Sequence, residues 1–323
     1  MLNLICPKCK TPLTQLNQEL QCKGCQKTYP IIDGIPSFIE NKDKFYHEYY
    51  QTQIGTKWAK GHVGFKNPIL STLYYIWNQT SIVGKRYRFF QKVLRKERDT
   101  LILDLGCGGG YKLFIRYGNV VGVDLELAPL KNAKNLYRMA IHADIATLPF
   151  EDNTFDYILS ADVMGHIPVE NKDKVLSEIY RVLKKGGKTA HVIETESNNF
   201  LFRFAQKYPD LYRKSFIEDI GGHFGLEASK DVLNRFNKHK FRSIKVEKLW
   251  GIIWPTEEYV NRFDNAYKEK SRSIKMLVSI CKVLNKNIII FGIINILLGA
   301  INYLVEAVTP LEHGAGILVV HKK

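Results

Sequence analysis

Four cysteines lie within the first 25 residues, as Cys6-Pro-Lys-Cys9 and, twelve residues further on, Cys22-Lys-Gly-Cys25. A C-x-x-C pair bends into a knuckle that presents two thiolates to one ion, and two knuckles complete a tetrahedral site. Disulfide formation and redox exchange are the competing uses of such pairs, but two pairs in a chain expected to stay in a reducing compartment favour zinc. With four protein ligands and no open position, the site would be structural. A segment this small would draw its folding energy from the metal. Downstream, between Tyr29 and Phe38, Asp33-Gly34 is expected to form a turn between two short apolar runs.

A second group of residues begins at Leu101. Leu101 to Asp104 read as a buried strand, followed by Gly106, Cys107, Gly108, Gly109 and Gly110. Glycines at this spacing allow a tight turn whose backbone can approach a ligand closely, and the turn is expected to open a short helix. A dinucleotide fingerprint does not fit, because its third glycine position is Tyr111. Twenty residues after Asp104, the apolar run Asn119 to Asp124 ends in an acid, placed to accept hydrogen bonds from two ribose hydroxyls at a strand tip. A third acid, Asp144, precedes Ile145 and a Leu148-Pro149-Phe150 triplet, and Phe155 to Ala161 reads as a further strand.

This D-x-G-x-G-G-G pattern, with the two later acids, the Arg181-Val-Leu-Lys-Lys-Gly-Gly187 run and a strand at Thr189 to Glu196, resembles the class I S-adenosylmethionine (SAM) dependent methyltransferases of the UbiE-like, methyltransferase type 11 kind. The resemblance spans residues 100 to 196. It implies an α/β, Rossmann-like fold whose sheet is mostly parallel with an antiparallel last strand. It also implies cofactor binding by Asp104, Gly106, Cys107, Gly108, Gly110, Asp124, Leu125, Asp144, Ile145 and Ala161. In the family pattern Asp144 contacts the adenine amine and Ile145 packs on the ring, while Ser160 to Asp162 face the sulfonium. Cys107 also fills space beside the glycine turn. Residues 2 to 38 resemble the Trm112 zinc-ribbon module, with Cys6, Cys9, Cys22 and Cys25 as the metal ligands. Radical-SAM chemistry is excluded by the lack of C-x-x-x-C-x-x-C.

Elements must hold these residues in place. Alternating strands and helices from residue 101 onward predict a parallel sheet covered on both faces. A helix is expected over Glu170 to Lys185, ended by Gly186-Gly187, and another over Ser229 to His239, before a strand over Phe241 to Leu249. The organisation expected is a zinc ribbon at 1–38, a helical lead-in or lid at 39–99 and the methyltransferase domain at 100–323. Within the lead-in, Lys85 to Arg98 carries seven basic residues against one acid and would bury Phe89, Phe90, Val93 and Leu94 as a helix. His166, in the loop after the Phe155 strand, is the candidate general base, with a structural role in that loop as the alternative; His223 is a second candidate.

The last strand, Gly314 to His321, follows its expected antiparallel partner by about sixty residues, which implies a structured insertion at about 256–310. Ile288 to Val305 carries no charge, long enough to be a membrane-spanning candidate. A single crossing would put the last strand on the wrong side, so a surface-lying or re-entrant hairpin fits better. The preceding stretch places Lys275, Ser279, Lys282 and Lys286 on one helix face and apolar residues around the rest, the pattern of peripheral membrane contact through residues 273–309. Burial against the protein's own sheet or a dimer partner is the alternative. The net charge of +15 calls for an anionic partner, either a membrane surface, an anionic small molecule or nucleic acid. No secretory signal pattern is present at Met1 to Cys6, so a cytoplasmic location is expected.

The function expected is methyl transfer to a small-molecule, lipid or lipid-linked glycan acceptor at a membrane surface. RNA base methylation is the alternative, since bacterial rRNA guanine-N1 methyltransferases also carry a cysteine-rich module ahead of this domain. Cys25 stands where those enzymes would have a histidine, and they lack the apolar insertion. A non-catalytic binding platform is a further alternative, disfavoured by the intact Asp104, Asp124 and Asp144.

Overall fold

The computed structural model describes residues 2–39, 82–97, 99–218, 222–249, 251 and 253–323. Most of the expected lead-in, with its aromatic residues from Tyr46 to Trp77, lies outside the described residues. The chain opens with a four-stranded antiparallel meander, β1 (Leu13–Leu16), β2 (Glu19–Cys22), β3 (Thr28–Ile32) and β4 (Ile35–Pro36). Asp33 and Gly34 connect β3 to β4 with φ of 51° and 76°, a left-handed pair that suits the strands' twist. The expected turn is where the sequence placed it.

The main sheet has seven strands. β5 (Leu101–Leu105), β6 (Asn119–Asp124), β7 (Met139–His142), β8 (Phe155–Ala161) and β9 (Leu183–Glu194) run parallel; β10 (Arg242–Leu249) and β11 (Gly316–Lys322) close one flank antiparallel. The spatial order is β10-β11-β9-β8-β5-β6-β7. Its central strands are near-continuous apolar runs because both faces are covered. Along β5, Leu103 and Leu105 pack with Val121, Val123, Val175, Ile179 and Phe236 on one face, while Ile102 packs with Phe89, Phe90, Leu130 and Val192 on the other. The covering helices include α1 (Ile82–Val93), α2 (Leu127–Leu136) and α3 (Lys172–Val182). Phe89, Phe90, Val93 and Leu94 are all buried, as the apolar stripe of α1 requires.

Three local expectations need correction. The glycine turn opens no α-helix: one turn of 3₁₀ helix, Phe114–Arg116, is all that separates it from β6. The helix expected over Glu170 to Lys185 begins as a 3₁₀ turn at Val169 and ends at Val182, and the chain enters β9 at Leu183, so Gly186 and Gly187 lie within a strand rather than capping the helix. Lys184 there bonds Asp156 at 2.8 Å across to β8, which favours extended backbone. Third, Ser160 is not open at the strand tip; it is fully buried and bonded at 2.7 Å to His191 Nδ1 on the adjacent strand.

Beyond β9 come α4 (Phe200–Gln206), α5 (Pro209–Tyr212) and α6 (Ser229–Lys238). Between β10 and β11 lie α7 (Thr256–Phe263), α8 (Tyr267–Lys270), α9 (Arg272–Leu284) and α10 (Ile288–Val308). Phe202, Phe216, Trp254, Phe263 and Tyr267 build a separate aromatic core that joins the two groups. The small and polar residues of α10 face inward. Asn295 Oδ1 accepts from Thr256 N at 2.8 Å, and Asn302 Oδ1 accepts from Ile253 N at 3.1 Å and lies against Gly251, so this face of α10 packs on Gly251, Ile253 and Thr256. Lys248 caps the C-terminal end of α10, donating to the carbonyls of Glu306 and Thr309 at 2.9 and 2.6 Å, where a helix end carries partial negative charge.

Candidate active site

The parallel strands put their C-terminal tips on one edge, where ligands bind in open α/β sheets. Asp104 near the end of β5 and Asp124 at the end of β6 are both buried. Tyr137 Oη donates to Asp104 Oδ2 at 2.7 Å and accepts from Tyr111 N, so the acid and the far side of the glycine turn are held by one phenol. Asp124 accepts from Gly108 N at 2.7 Å and from Glu126 N at 2.9 Å, which pins the turn to the neighbouring strand. Burial pushes the Asp104 carboxyl up to about 7, against the pull of the Tyr137 hydrogen bond. Burial likewise lifts Asp124 to about 6, with the Glu126 and Gly108 amides working the other way. Two desolvated acids of this kind favour a cationic ligand.

The turn between them is shaped to admit one. Gly108 adopts φ 49°, and the space its side chain would fill is open. Gly106, at φ 62°, and Gly110, at φ 90°, are instead closed in by Val163 and by Leu136 and Tyr137. Cys107 turns inward and packs against Gly122, so it fills space beside the turn; burial raises its thiol well above the usual range. Leu125 follows Asp124 and is half-buried, and its carbonyl lies 2.9 Å from His142 Nε2. Asp144 is exposed at the loop after β7, where its Oδ1 accepts from Ala146 N at 2.8 Å, and Ile145 beside it is half-buried. Ala161, at the end of β8, is exposed. The structure therefore brings the glycine turn, Asp104, Asp124 and Leu125 together at the tips of β5 and β6, with Asp144 and Ile145 beyond the tip of β7 and Ala161 at the tip of β8.

His166 and His223 come together as well. Their rings stack at 4.4 Å with 26° between planes. The loop that carries His223 is clamped onto the loop that carries His166: Gly225 N donates to Gly165 O at 2.9 Å, and Lys172, 3% exposed, donates to Gly225 O and pairs with Glu227. His223 Nε2 lies 3.7 Å from Glu194 Oε1, and burial, followed by the charge of Arg262, depresses the imidazole to about 4. Two further residues stand here that the sequence reading gave no chemical role: Arg86 of α1 pairs with Asp162, and Glu194 ends β9. Glu194 shows in the sequence only as an acid at a strand's end, and Arg86 only as one base in a basic helix.

At the other end of the chain, Cys6, Cys9, Cys22 and Cys25 place all four sulfurs within 4.8 Å of one another. Cys9–Cys22 and Cys6–Cys25 are 3.2 and 3.6 Å apart, too far for disulfides. Sulfurs about 2.3 Å from a central zinc in a tetrahedron stand about 3.8 Å apart, so these four residues fit that ion.

A seven-stranded sheet of this order, with the glycine turn at its centre, is the Rossmann-like methyltransferase fold. Residues 103–190 match the methyltransferase domain family, and residues 3–34 match the Trm112p-like family. An uncharacterized protein of Methanocaldococcus jannaschii is 40% identical over 130 residues, covering 40% of this chain and 56% of that protein. Demethylmenaquinone methyltransferase of Listeria welshimeri is 29% identical over 149 residues, covering 39% of this chain and 62% of that enzyme. Among solved structures, phosphoethanolamine N-methyltransferase 2 of Haemonchus contortus, in complex with S-adenosyl-L-methionine, aligns at 19% identity with a TM-score of 0.47, over 82% of this chain and 61% of that one. The matched stretches span less than two thirds of the length of these curated relatives.

Proposed function

We propose that this protein is a SAM-dependent methyltransferase whose acceptor is a small molecule, a lipid or a lipid-linked glycan met at a membrane surface. The observation that carries the reading is the pair of buried acids flanking an open glycine turn at the centre of this sheet. SAM, when bound, supplies a methyl group on a positively charged sulfur. Asp104 and Asp124 offer negative charge on the cofactor side, Asp144 offers an acceptor oxygen beside Ile145, and the backbone at Gly108 leaves room for close approach. The chain's contribution to methyl displacement would then be alignment, exclusion of water and disposal of any acceptor proton. The ribbon's four cysteines would hold zinc in a structural role, since no ligand position is left open.

The membrane part of the proposal is supported by what α9 and α10 expose. Ile289, Ile293, Leu297, Ile301 and Leu304 of α10 are exposed, as are Met276, Ile280 and Val283 of α9. α10 is long and apolar enough to cross a bilayer, yet only 11% of its apolar stretch is buried. An apolar patch on this scale beside Lys275, Lys282 and Lys286 suits an anionic lipid surface.

Labelled SAM incubated with the protein and separated lipid, RNA and protein fractions is the direct test. Label in the lipid fraction is expected; label in RNA alone would sink the acceptor class. Deleting residues 273–309 should abolish pelleting with anionic liposomes, and unchanged pelleting would count against membrane contact.

A further inference from the structure

Asp162 is the first residue after β8, and Glu194 is the last residue of β9. The two strands are parallel neighbours, so two acids stand side by side at their C-terminal ends. The two strand ends bring their carboxyls close enough to act on one another. Carboxylates have no hydrogen to offer, so this contact is attractive only when one proton sits between them, as in paired acids that cannot both ionise. Asp162 Oδ1 and Glu194 Oε2 are shut off from solvent, and among the described residues neither has a hydrogen-bond donor. Burial and the Glu194 charge both hold the Asp162 carboxyl well above the usual carboxylate range. Asp162 also sits at φ 59°, a left-handed backbone that costs a non-glycine residue about 1 kcal/mol or more and is found preferentially at functional sites.

The pair adjoins the cofactor turn. Val163, next to Asp162, closes the space over Gly106. Tyr111, from the far side of the turn, lies within the field of both Arg86 and Asp162. Among the described residues, the charged and titratable groups facing the pair are Arg86 from α1, Lys172 from α3, Tyr111, His166, His223 and, through His223, Arg262 from α7. Arg262 is engaged by Glu258 at 3.2 Å, and His223 is neutral at physiological pH. Lys172 is likewise engaged, by Glu227 at 2.7 Å, so among the described residues the Arg86 guanidinium is the cation paired directly with the two acids, which we take to carry one negative charge and one proton. Gly165 leaves room beside the pair, since a side chain there would begin 3.1 Å from Glu194 Oε2.

We propose that Asp162 and Glu194 form a proton-sharing carboxyl pair that receives the proton released by the methyl acceptor. The acceptor then belongs to the class whose nucleophilic group carries an ionisable proton: a hydroxyl, a phenol or an amine. The inference rests on the methyl-transfer reading above. An electron pair on the acceptor forms the new bond to the methyl carbon, and the carbon–sulfur bond breaks with its electrons returning to sulfur, which becomes a neutral thioether. The acceptor's proton moves to Glu194, leaving the pair doubly protonated beside Arg86, and is lost to solvent once product leaves.

Infrared difference spectra of the full chain at about pH 8, where Asp104 and Asp124 are ionised, test the shared proton without any acceptor. The wild type is expected to show a protonated-carboxyl stretch that disappears in both Asp162→Asn and Glu194→Gln, because either amide lets the remaining acid ionise. A wild type without the band, or a band that survives in both variants, would overturn the pair. With labelled SAM and a total lipid extract as probe, Glu194→Gln should slow transfer by about 10²- to 10⁴-fold while calorimetric SAM affinity stays within about twofold. Transfer at the wild-type rate would overturn the proton-accepting role. Failure of the wild type to bind SAM would refute the methyl-transfer reading instead, and the infrared band separates the two failures.

Discussion

Because Asp104 is buried with its carboxyl raised to about 7, binding of a cationic cofactor beside it should be linked to proton release. If the bound state requires ionised Asp104, the apparent dissociation constant grows by the factor 1 + 10^(pKa − pH). That factor is about 1 at pH 8, about 2 at pH 7 and about 11 at pH 6, a loss of about 1.4 kcal/mol over two pH units. Asp124, raised to about 6, contributes a further factor of about 2 at pH 6. Affinity for SAM should therefore fall about twentyfold from pH 8 to pH 6. The sign follows from the raised pKa: binding is full above it and is lost as pH falls. Isothermal titration at three pH values, each in two buffers of different ionisation enthalpy, measures both affinity and protons released. Asp104→Asn should weaken binding at pH 8 and leave only the twofold contribution of Asp124. A dissociation constant that stays within twofold from pH 6 to pH 8, or a twentyfold change that persists in Asp104→Asn, would refute the linkage.

Other consequences can be checked separately. Ser37 Oγ lies 2.8 Å from His142 Nδ1 while His142 Nε2 reaches the Leu125 carbonyl, so Ser37→Ala should cost about 1 kcal/mol of SAM affinity, some fivefold by calorimetry, and an unchanged value would mean that the ring holds itself. Chelation of zinc should remove the ribbon's cross-link and lower the melting temperature by several degrees, with native mass spectrometry reporting the lost ion; unchanged melting would argue against a structural metal. His321 is fully buried, stacked at 4.1 Å on Phe236 with neither ring nitrogen bonded, and burial depresses it to about 4. It contributes full stability above about pH 6.5 and loses about 3 kcal/mol as pH falls towards 4, because the unfolded chain takes the proton first. His321→Phe should flatten that part of the pH–stability curve in denaturant titrations; an equally steep curve would refute the assignment.

Much of the sheet was legible because its signals are local. The apolar runs ending in Asp124 and Ala161, the Asp33-Gly34 turn and the two cysteine knuckles depend on residues close in sequence. The antiparallel return of β11 followed from the resemblance rather than from periodicity. Where the reading failed, a distant contact decided the outcome. Glycines 186 and 187 look like a helix stop, yet Leu183 and Lys188 on either side of them pair with β8, and the glycines fall at the register shift between. The glycine turn reads as the start of a helix, but the chain makes one turn of 3₁₀ helix, Phe114–Arg116, before it enters β6. Asp162 and Glu194 are ordinary strand-end acids until β8 and β9 lie side by side, and the contact of Arg86 with Asp162 exists only once α1 has packed over the sheet.

The ribbon's position against β7 has one further consequence. The outermost strand of an open sheet leaves a row of backbone donors and acceptors free to recruit another chain. Here Phe38 N takes the His142 carbonyl at 2.8 Å and Ser37 runs parallel beside it, while Ile5 N bonds Pro149 O on the adjoining loop. The opposite flank is guarded differently, by a bulge between Ser243 and Lys245 and by charges at Arg242, Lys245 and Glu247 along β10. The ribbon thus acts as a built-in guard against strand-to-strand aggregation. Because guard and sheet share one chain, every copy is protected as it is made, at an effective concentration no separate subunit would match. Expressed without residues 2–39, the remainder should self-associate through β7, visible as concentration-dependent growth in light scattering.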